Sequence, residues 1–191
     1  MRINIKNHTG KVFITSDLHI NHSNIIKYSN RPFENVHEMN DAIIKNWNSV
    51  VSNEDIVFNL GDFSFCNDTC TIKFLEQLNG VQYFIYGNHD KVMKSDKVQN
   101  YCKRTNKIKL FSDVFELNYK GSFIFMSHYA HRTWNRSHRG SLHLYGHSHG
   151  TLPGIGRSMD VGVDSTDMNS SFTPFLLERV IEYLTDKEIS S

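Results

Sequence analysis

Five short clusters of metal-ligand or proton-transfer side chains follow one another along the chain: Asp17-Leu18-His19, Gly61-Asp62, Gly87-Asn88-His89-Asp90, Ser127-His128 and Gly146-His147-Ser148-His149. Imidazole and carboxylate are the usual ligands of borderline and hard divalent ions, and no cysteine joins them in any cluster. Together the clusters read as a dinuclear metal site and not as a structural zinc finger. Gly61, Gly87 and Gly146 each precede a candidate ligand, where the chain must turn sharply and sometimes adopt positive φ.

The elements that position these clusters are short. Runs rich in Val, Ile, Phe or Tyr at residues 11–16, 55–60, 81–86, 122–126 and 142–145 read as strands, and each ends where a cluster begins. Side chains at the C-terminal ends of strands then converge on one crevice. Met39, Ile43, Ile44, Trp47, Val50 and Val51 recur at three- and four-residue spacing and predict a helix over 36–51. A second helix is expected over 68–78, with Ile72, Leu75 and Leu78 inward and Asn79-Gly80 as its stop. Residues 91–106 read as part helix and part loop. After Gly121 β character dominates, through 158–163 and 176–183.

A chain of 191 residues is expected to form one domain, 1–191, with room for helices around sheet. Its formal net charge of +1 supplies no bulk attraction for nucleic acid or an anionic membrane. The first residues lack the apolar run of a signal peptide, and no stretch approaches the ~20 apolar residues of a membrane span. Cys66 and Cys70 are too far apart for a Cys-x-x-Cys motif, and an odd total of 3 cysteines argues for reduced thiols and a cytoplasmic location.

The series Asp-x-His, Gly-Asp, Gly-Asn-His-Asp, His, Gly-His-x-His, running from Asp17 to His149, resembles the calcineurin-like metallophosphoesterase superfamily. The closing run from Asp160 to Asp164 is similar to the strand after the last metal motif in short bacterial and phage members. The resemblance implies an α/β fold, a four-layer α/β/β/α sandwich with two mixed β-sheets. It also implies a dinuclear metal site at the strand ends, with Asp17, His19, Asp62 and His149 on one ion and Asp62, Asn88, His128 and His147 on the other. Asp62 would then bridge. Ser127 stands where many relatives have glycine.

The chemistry of that ligand set is coherent. A bridging carboxylate holds two cations roughly 3.5–4 Å apart, the spacing that clamps the attacking and leaving oxygens of an in-line phosphoryl displacement. Two divalent ions less Asp17, Asp62 and a bridging hydroxide leave roughly +1 facing an anionic phosphate ester. Asn88 would ligate without adding negative charge, and it is also a candidate substrate contact. With hydroxide supplied by the metals, no protein nucleophile is needed. His89, assigned to neither ion, is expected to be the catalytic histidine that protonates the leaving oxygen or stabilises developing charge, with Asp90 holding its tautomer. Two Asp, one Asn and four His suit Mn²⁺, Fe²⁺, Co²⁺, Ni²⁺ or Zn²⁺, and Mn²⁺ is the expected activator.

Other residues carry weaker signals. His22 lies three positions after His19, facing either the cleft or solvent. Arg31 suits bidentate phosphate recognition, against the plainer reading of a loop arginine with an exposed head. Tyr129, His131, Arg132 and Trp134 follow a candidate ligand, and Tyr129 or Trp134 would either stack a nucleobase or simply pack. His143 reads as buried structure, His8, His37 and His138 as surface. Asp160 and Asp164 are candidates to orient metal-bound histidines.

The leading expectation is a phosphoesterase, a phosphodiesterase before a phosphomonoesterase, acting on a nucleotide or small phosphoester. The chain leaves no room for a large cap, and it lacks a dense Arg/Lys cluster for a dianionic monoester. A non-catalytic scaffold of the same fold would show a damaged ligand set, and this set is whole. A nucleic-acid-binding module is opposed by the near-neutral charge, so no stable nucleic-acid complex is expected.

Overall fold

The computed structural model describes residues 1–5, 7–168 and 171–189. Among the described residues, ten strands form two five-stranded mixed sheets. The first takes β1 (Arg2–Ile3), β6 (Val114–Tyr119), β7 (Ser122–Ser127), β8 (Leu142–Tyr145) and β9 (Ser158–Asp160) in that order. The second has the order β10 (Phe175–Leu176), β2 (Val12–Thr15), β3 (Ile56–Asn59), β4 (Val81–Ile85) and β5 (Ile108–Ser112). Strands β2, β3 and β8 are buried along their whole length, which explains their unbroken apolar runs: side chains on both faces leave water. Parallel pairing sets Val12 opposite Ile56 and Phe58 opposite Tyr83, so β2, β3 and β4 finish together at one edge.

Two cores result. Ile14, Phe58 and Ile85 meet Phe115, Ile124, Met126 and Leu144 between the sheets. On the other face of the second sheet, Phe13, Val57 and Phe84 meet α2 (Val36–Val50), α3 (Asp68–Gln77) and α4 (Asp96–Thr105). Asn35 caps α2 through the N–H groups of His37 and Glu38, and Met39, Ile43 and Trp47 form its buried stripe. In α3 the fully buried positions are Thr71 and Leu75, with Leu78 buried just beyond its end and Ile72 only partly covered. A short helix α1 (Ser23–Tyr28) follows the first cluster.

The two-sheet α/β architecture is the expected one, and two local expectations need correction, the strand over 176–183 and the unpaired state of Cys66 and Cys70. Residues 176–183 are β only at β10. The rest is α5 (Leu177–Thr185), whose buried Leu177, Val180 and Leu184 recur at helical spacing and pack against β2, β8 and β10. Residues 91–106 are mostly helical, a 3₁₀ turn at Val92–Lys94 followed by α4. Strands β5 and β6 lie between the recognised runs, β6 with the inward alternation of Phe115 and Leu117. Finally, Cys66 and Cys70 are paired, their Cα atoms 5.4 Å apart across the start of α3, and only Cys102 is a free, buried thiol. Among the described residues, no helix is long and apolar enough to cross a membrane.

Candidate metal centre

All five clusters emerge just beyond C-terminal strand ends, those of β2, β3, β4, β7 and β8. Backbone hydrogen bonds lock the emerging loops side by side: Asp17 N–H donates to Gly61 O (2.9 Å), His19 N–H to Asp62 O (3.0 Å) and Gly146 N–H to His128 O (2.9 Å). Gly61 does adopt positive φ, at 104°, but Gly87 and Gly146 do not, and there the requirement is space. A Cβ at Gly87 would collide with the Asp62 carboxylate, and one at Gly146 with Ser16 and Asp17. The unusual backbone falls on the candidate ligands themselves. Asp17, His19, Asp62, His147 and His149 all have φ between 48° and 67°, where non-glycine residues are strained by about 1–2 kcal/mol each.

The loops bring the candidate ligands into two groups. The ligand atoms of Asp17, His19 and His149 lie within 4.8 Å of one another, as do those of Asp62, His128 and His147. Asp62 Oδ2 stands between the groups, 3.5 Å from His19 Nε2 and 3.6 Å from His128 Nε2. Asn88 joins the second group, its Oδ1 at 3.0 Å from His128 Nε2.

These donors suit cations. Asp17 Oδ1 and His19 Nε2 are buried without a hydrogen-bond partner, a state costing roughly 1–3 kcal/mol per group unless an ion takes up the lone pair. His128 tells the same story. Its Nδ1 sits 2.8 Å from Leu60 O, which can only accept, so Nδ1 carries the hydrogen and Nε2 turns a lone pair toward Asn88 Oδ1, another acceptor. Burial holds the imidazoles of His19 and His128 below their ordinary pKa, hence neutral and able to ligate. Burial likewise pushes Asp17 up to about 8, the cost of confining a carboxylate there without a counter-charge.

Supporting contacts correct three expectations. Arg31 is neither exposed nor directed at substrate. Its guanidinium is buried, with Nε and Nη2 each 2.8 Å from Asp164 and further bonds to Leu18 O and Asp17 O. Asp164 in turn accepts from His149 Nδ1 at 2.6 Å. Burial opposes the Asp164 charge, but the bonds from His149 and Arg31 outweigh it and hold the carboxyl below its usual range. Asp160, by contrast, accepts from the N–H groups of Gly150 and Gly162 and orients no histidine. Asp90 does not hold the His89 ring. Its oxygens accept from Asp62, Phe63 and Gly87 N–H at 2.7–2.9 Å, fixing the turn that carries Asp62, and burial pushes its carboxyl up to about 6 against those bonds.

Removing one partner of a buried ion pair strands the other, at a cost of about 3–5 kcal/mol. Arg31→Ala should therefore lower unfolding stability by roughly 3 kcal/mol in urea titration, and Arg31→Lys should recover little because it lacks the two-pronged fork. A variant as stable as the parent would remove Arg31 from this role.

The other predicted residues scatter. His89 is exposed, its N–H donating to Asp62 Oδ1 (2.9 Å) and its ring 4.8 Å from that of Phe65. His22 faces the cleft, with Nδ1 3.2 Å from His19 Nδ1 and its ring stacked on Phe65. Tyr129 leans on the rings of His128 and His147. Trp134 is packing, buried with Nε1 donating to Ser141 O (3.1 Å), and His143 is buried as expected. The sequence reading missed Phe65, Tyr28 and Leu152, which join His19, His22, Asp62, His89 and His149 around one cavity of about 940 Å³. For Phe65 a signal existed: it lies three residues beyond Asp62 on the same loop, held by its N–H to Ile20 O (2.8 Å).

Oxygen and nitrogen donors in two adjoining groups, on strand-end loops of a two-sheet α/β fold, define a protein with a candidate metal centre. The chain belongs to the calcineurin-like phosphoesterase superfamily, whose domain profile matches residues 11–159. It is 44% identical over 125 residues to an uncharacterized protein of Methanocaldococcus jannaschii, covering 63% of this chain and 70% of that one. It is also 36% identical over 81 residues to the gene 66 protein of Mycobacterium phage L5, covering 41% and 39%. A protein of unknown function from Aquifex aeolicus has the same fold, with a TM-score of 0.67 at 20% identity over 91% of this chain and 99% of that one.

Proposed function

We propose that the protein is a metal-dependent phosphodiesterase acting on nucleotide-type substrates, with Mn²⁺ as its preferred ion. The observation that carries this reading is the position of Asp62 Oδ2 between the two donor groups, at the wall of a cavity that opens to solvent. Asp17, His19, Asp62 and His149 would hold one ion, and Asp62, Asn88, His128 and His147 a second. When bound, such a pair supplies positive charge toward phosphoryl oxygens and acidifies water near neutral pH. Only Asp17 and Asp62 among these donors are anionic, so the site keeps its attraction for phosphate. His89 stands on the cavity wall, free of both groups, and protonates the leaving oxygen. Asp90 acts one step back by fixing the Asp62 turn. Asn88 and Tyr129 reach the substrate from the second group's side.

The preference for diesters rests on the cavity lining. Among the described residues that line it there is no lysine or arginine, so nothing besides the metals compensates the second charge of a monoester. The test compares a nitrophenyl phosphodiester with the matching monoester, using metal-stripped protein resupplied with Mn²⁺. Metal-dependent cleavage with the diester ahead is expected. A faster monoester would make the protein a phosphatase, and stoichiometric metal binding without cleavage of either would leave a scaffold.

A further inference from the structure

Single exposed apolar residues are ordinary on a protein surface, but several on one wall of a cavity are not. Among the described residues the exposed large apolar side chains are few, and Tyr28 (72% exposed), Phe65 (38%) and Leu152 (48%) all line the cavity that holds the candidate ligands. Tyr129 leans on the far side, its ring 4.6 Å from that of His147. The wall is tied to the metal centre. Phe65 stacks on His22 with ring centroids 3.7 Å apart and planes 16° apart, and His22 Nδ1 lies 3.2 Å from His19 Nδ1. Tyr28 and His22 meet edge-to-face at 6.3 Å, and Tyr28 is otherwise largely open to solvent.

We propose that Tyr28, together with His22, Phe65 and Leu152 on the same cavity, forms a subsite for a nucleobase, which makes nucleoside phosphodiesters the substrate class. The inference rests on the phosphodiesterase reading for its chemistry. Three properties of the wall select a base over other apolar groups. A planar ring gains from a rigid aromatic platform whatever its sequence identity. Ser29, Asn30, Thr151 and Thr166 line the same cavity with uncharged hydrogen-bonding groups, which suit the polar edge of a base and the hydroxyls of a sugar and would be wasted on an acyl chain. A volume of about 940 Å³ is at the upper end for small-molecule sites and admits base, sugar and phosphate together. The absence of lysine and arginine from the described lining disfavours a polyphosphate chain.

The deciding experiment is calorimetric titration of the Mn²⁺-loaded protein with AMP and, separately, with ribose 5-phosphate, which share the phosphate and sugar but not the base. AMP should bind about 10-fold more tightly, and Tyr28→Ala should close most of that gap while Tyr28→Phe keeps it. Equal binding of the two ligands, or a Tyr28→Ala effect equal on both, would overturn the subsite. A kinetic arm separates this outcome from failure of the underlying reading. The nitrophenyl ester of thymidine 5′-phosphate and nitrophenyl methyl phosphate share a leaving group, and the thymidine ester should be cleaved about 10-fold more efficiently. No cleavage of either ester sinks the phosphodiesterase reading, while AMP binding still decides the subsite.

Discussion

Asp62→Asn should leave the fold intact while removing bound metal and activity together. The substitution is close to isosteric, and asparagine is among the few residues that accept the left-handed backbone found here, φ 54°. The main-chain bonds that fix the turn, from Asp62 N–H to Asp90 and from His19 N–H to Asp62 O, do not involve the altered side chain. What changes is charge at the atom standing 3.5 Å from His19 Nε2 and 3.6 Å from His128 Nε2. A neutral amide there presents one oxygen, and a nitrogen with no lone pair to give. Loss of several kcal/mol of charge stabilisation corresponds to a fall of ~10³-fold or more in turnover. Metal content after desalting, circular dichroism and diester hydrolysis check the three parts. An Asp62→Asn protein that keeps both ions and its activity would end the bridging assignment.

Legibility of this chain tracks sequence distance. Strands β2, β3, β4, β7 and β8 were readable because burial on both faces or one forces apolar runs, and each run abuts its own cluster. Helices α2 and α3 carry their stripe and cap within a dozen or so residues. The failures depend on partners that no local window contains. Arg31 finds Asp164 at a separation of 133 residues, and only that pairing turns a loop arginine into a buried brace behind His149. Asp90 finds the backbone of Asp62 at a separation of 28, so its neighbour His89 was the wrong partner to infer. In α5 the trouble was period: Val, Ile and Tyr suggest a strand by type, while Leu177, Val180 and Leu184 declare a helix by spacing. The left-handed ligands carried no glycine to mark them. Their strain is sustained by a lattice of inter-loop hydrogen bonds and is of the kind that gathers at functional sites.

His89→Ala should keep both ions and lose turnover. Its ring belongs to neither donor group and meets the ring of His19 edge-to-face at 5.7 Å, while its hydrogen bond to the centre is a main-chain one, His89 N–H to Asp62 Oδ1, which alanine preserves. A lost general acid costs ~10²–10⁴-fold, and the size of the loss should depend on the leaving group. Nitrophenolate departs readily without a proton, whereas an alkoxide from a nucleoside needs one. The deficit of His89→Ala should therefore be larger for a dinucleoside phosphodiester than for a nitrophenyl diester. Equal deficits on both esters would recast His89 as a donor that stabilises charge on a non-bridging oxygen. Loss of metal in the variant would make it a structural support for Asp62. The exposed position of the ring, 4.8 Å from Phe65 on the wall of the cavity, favours the acid: it stands on the open side of the centre, within reach of a group bound in the cavity.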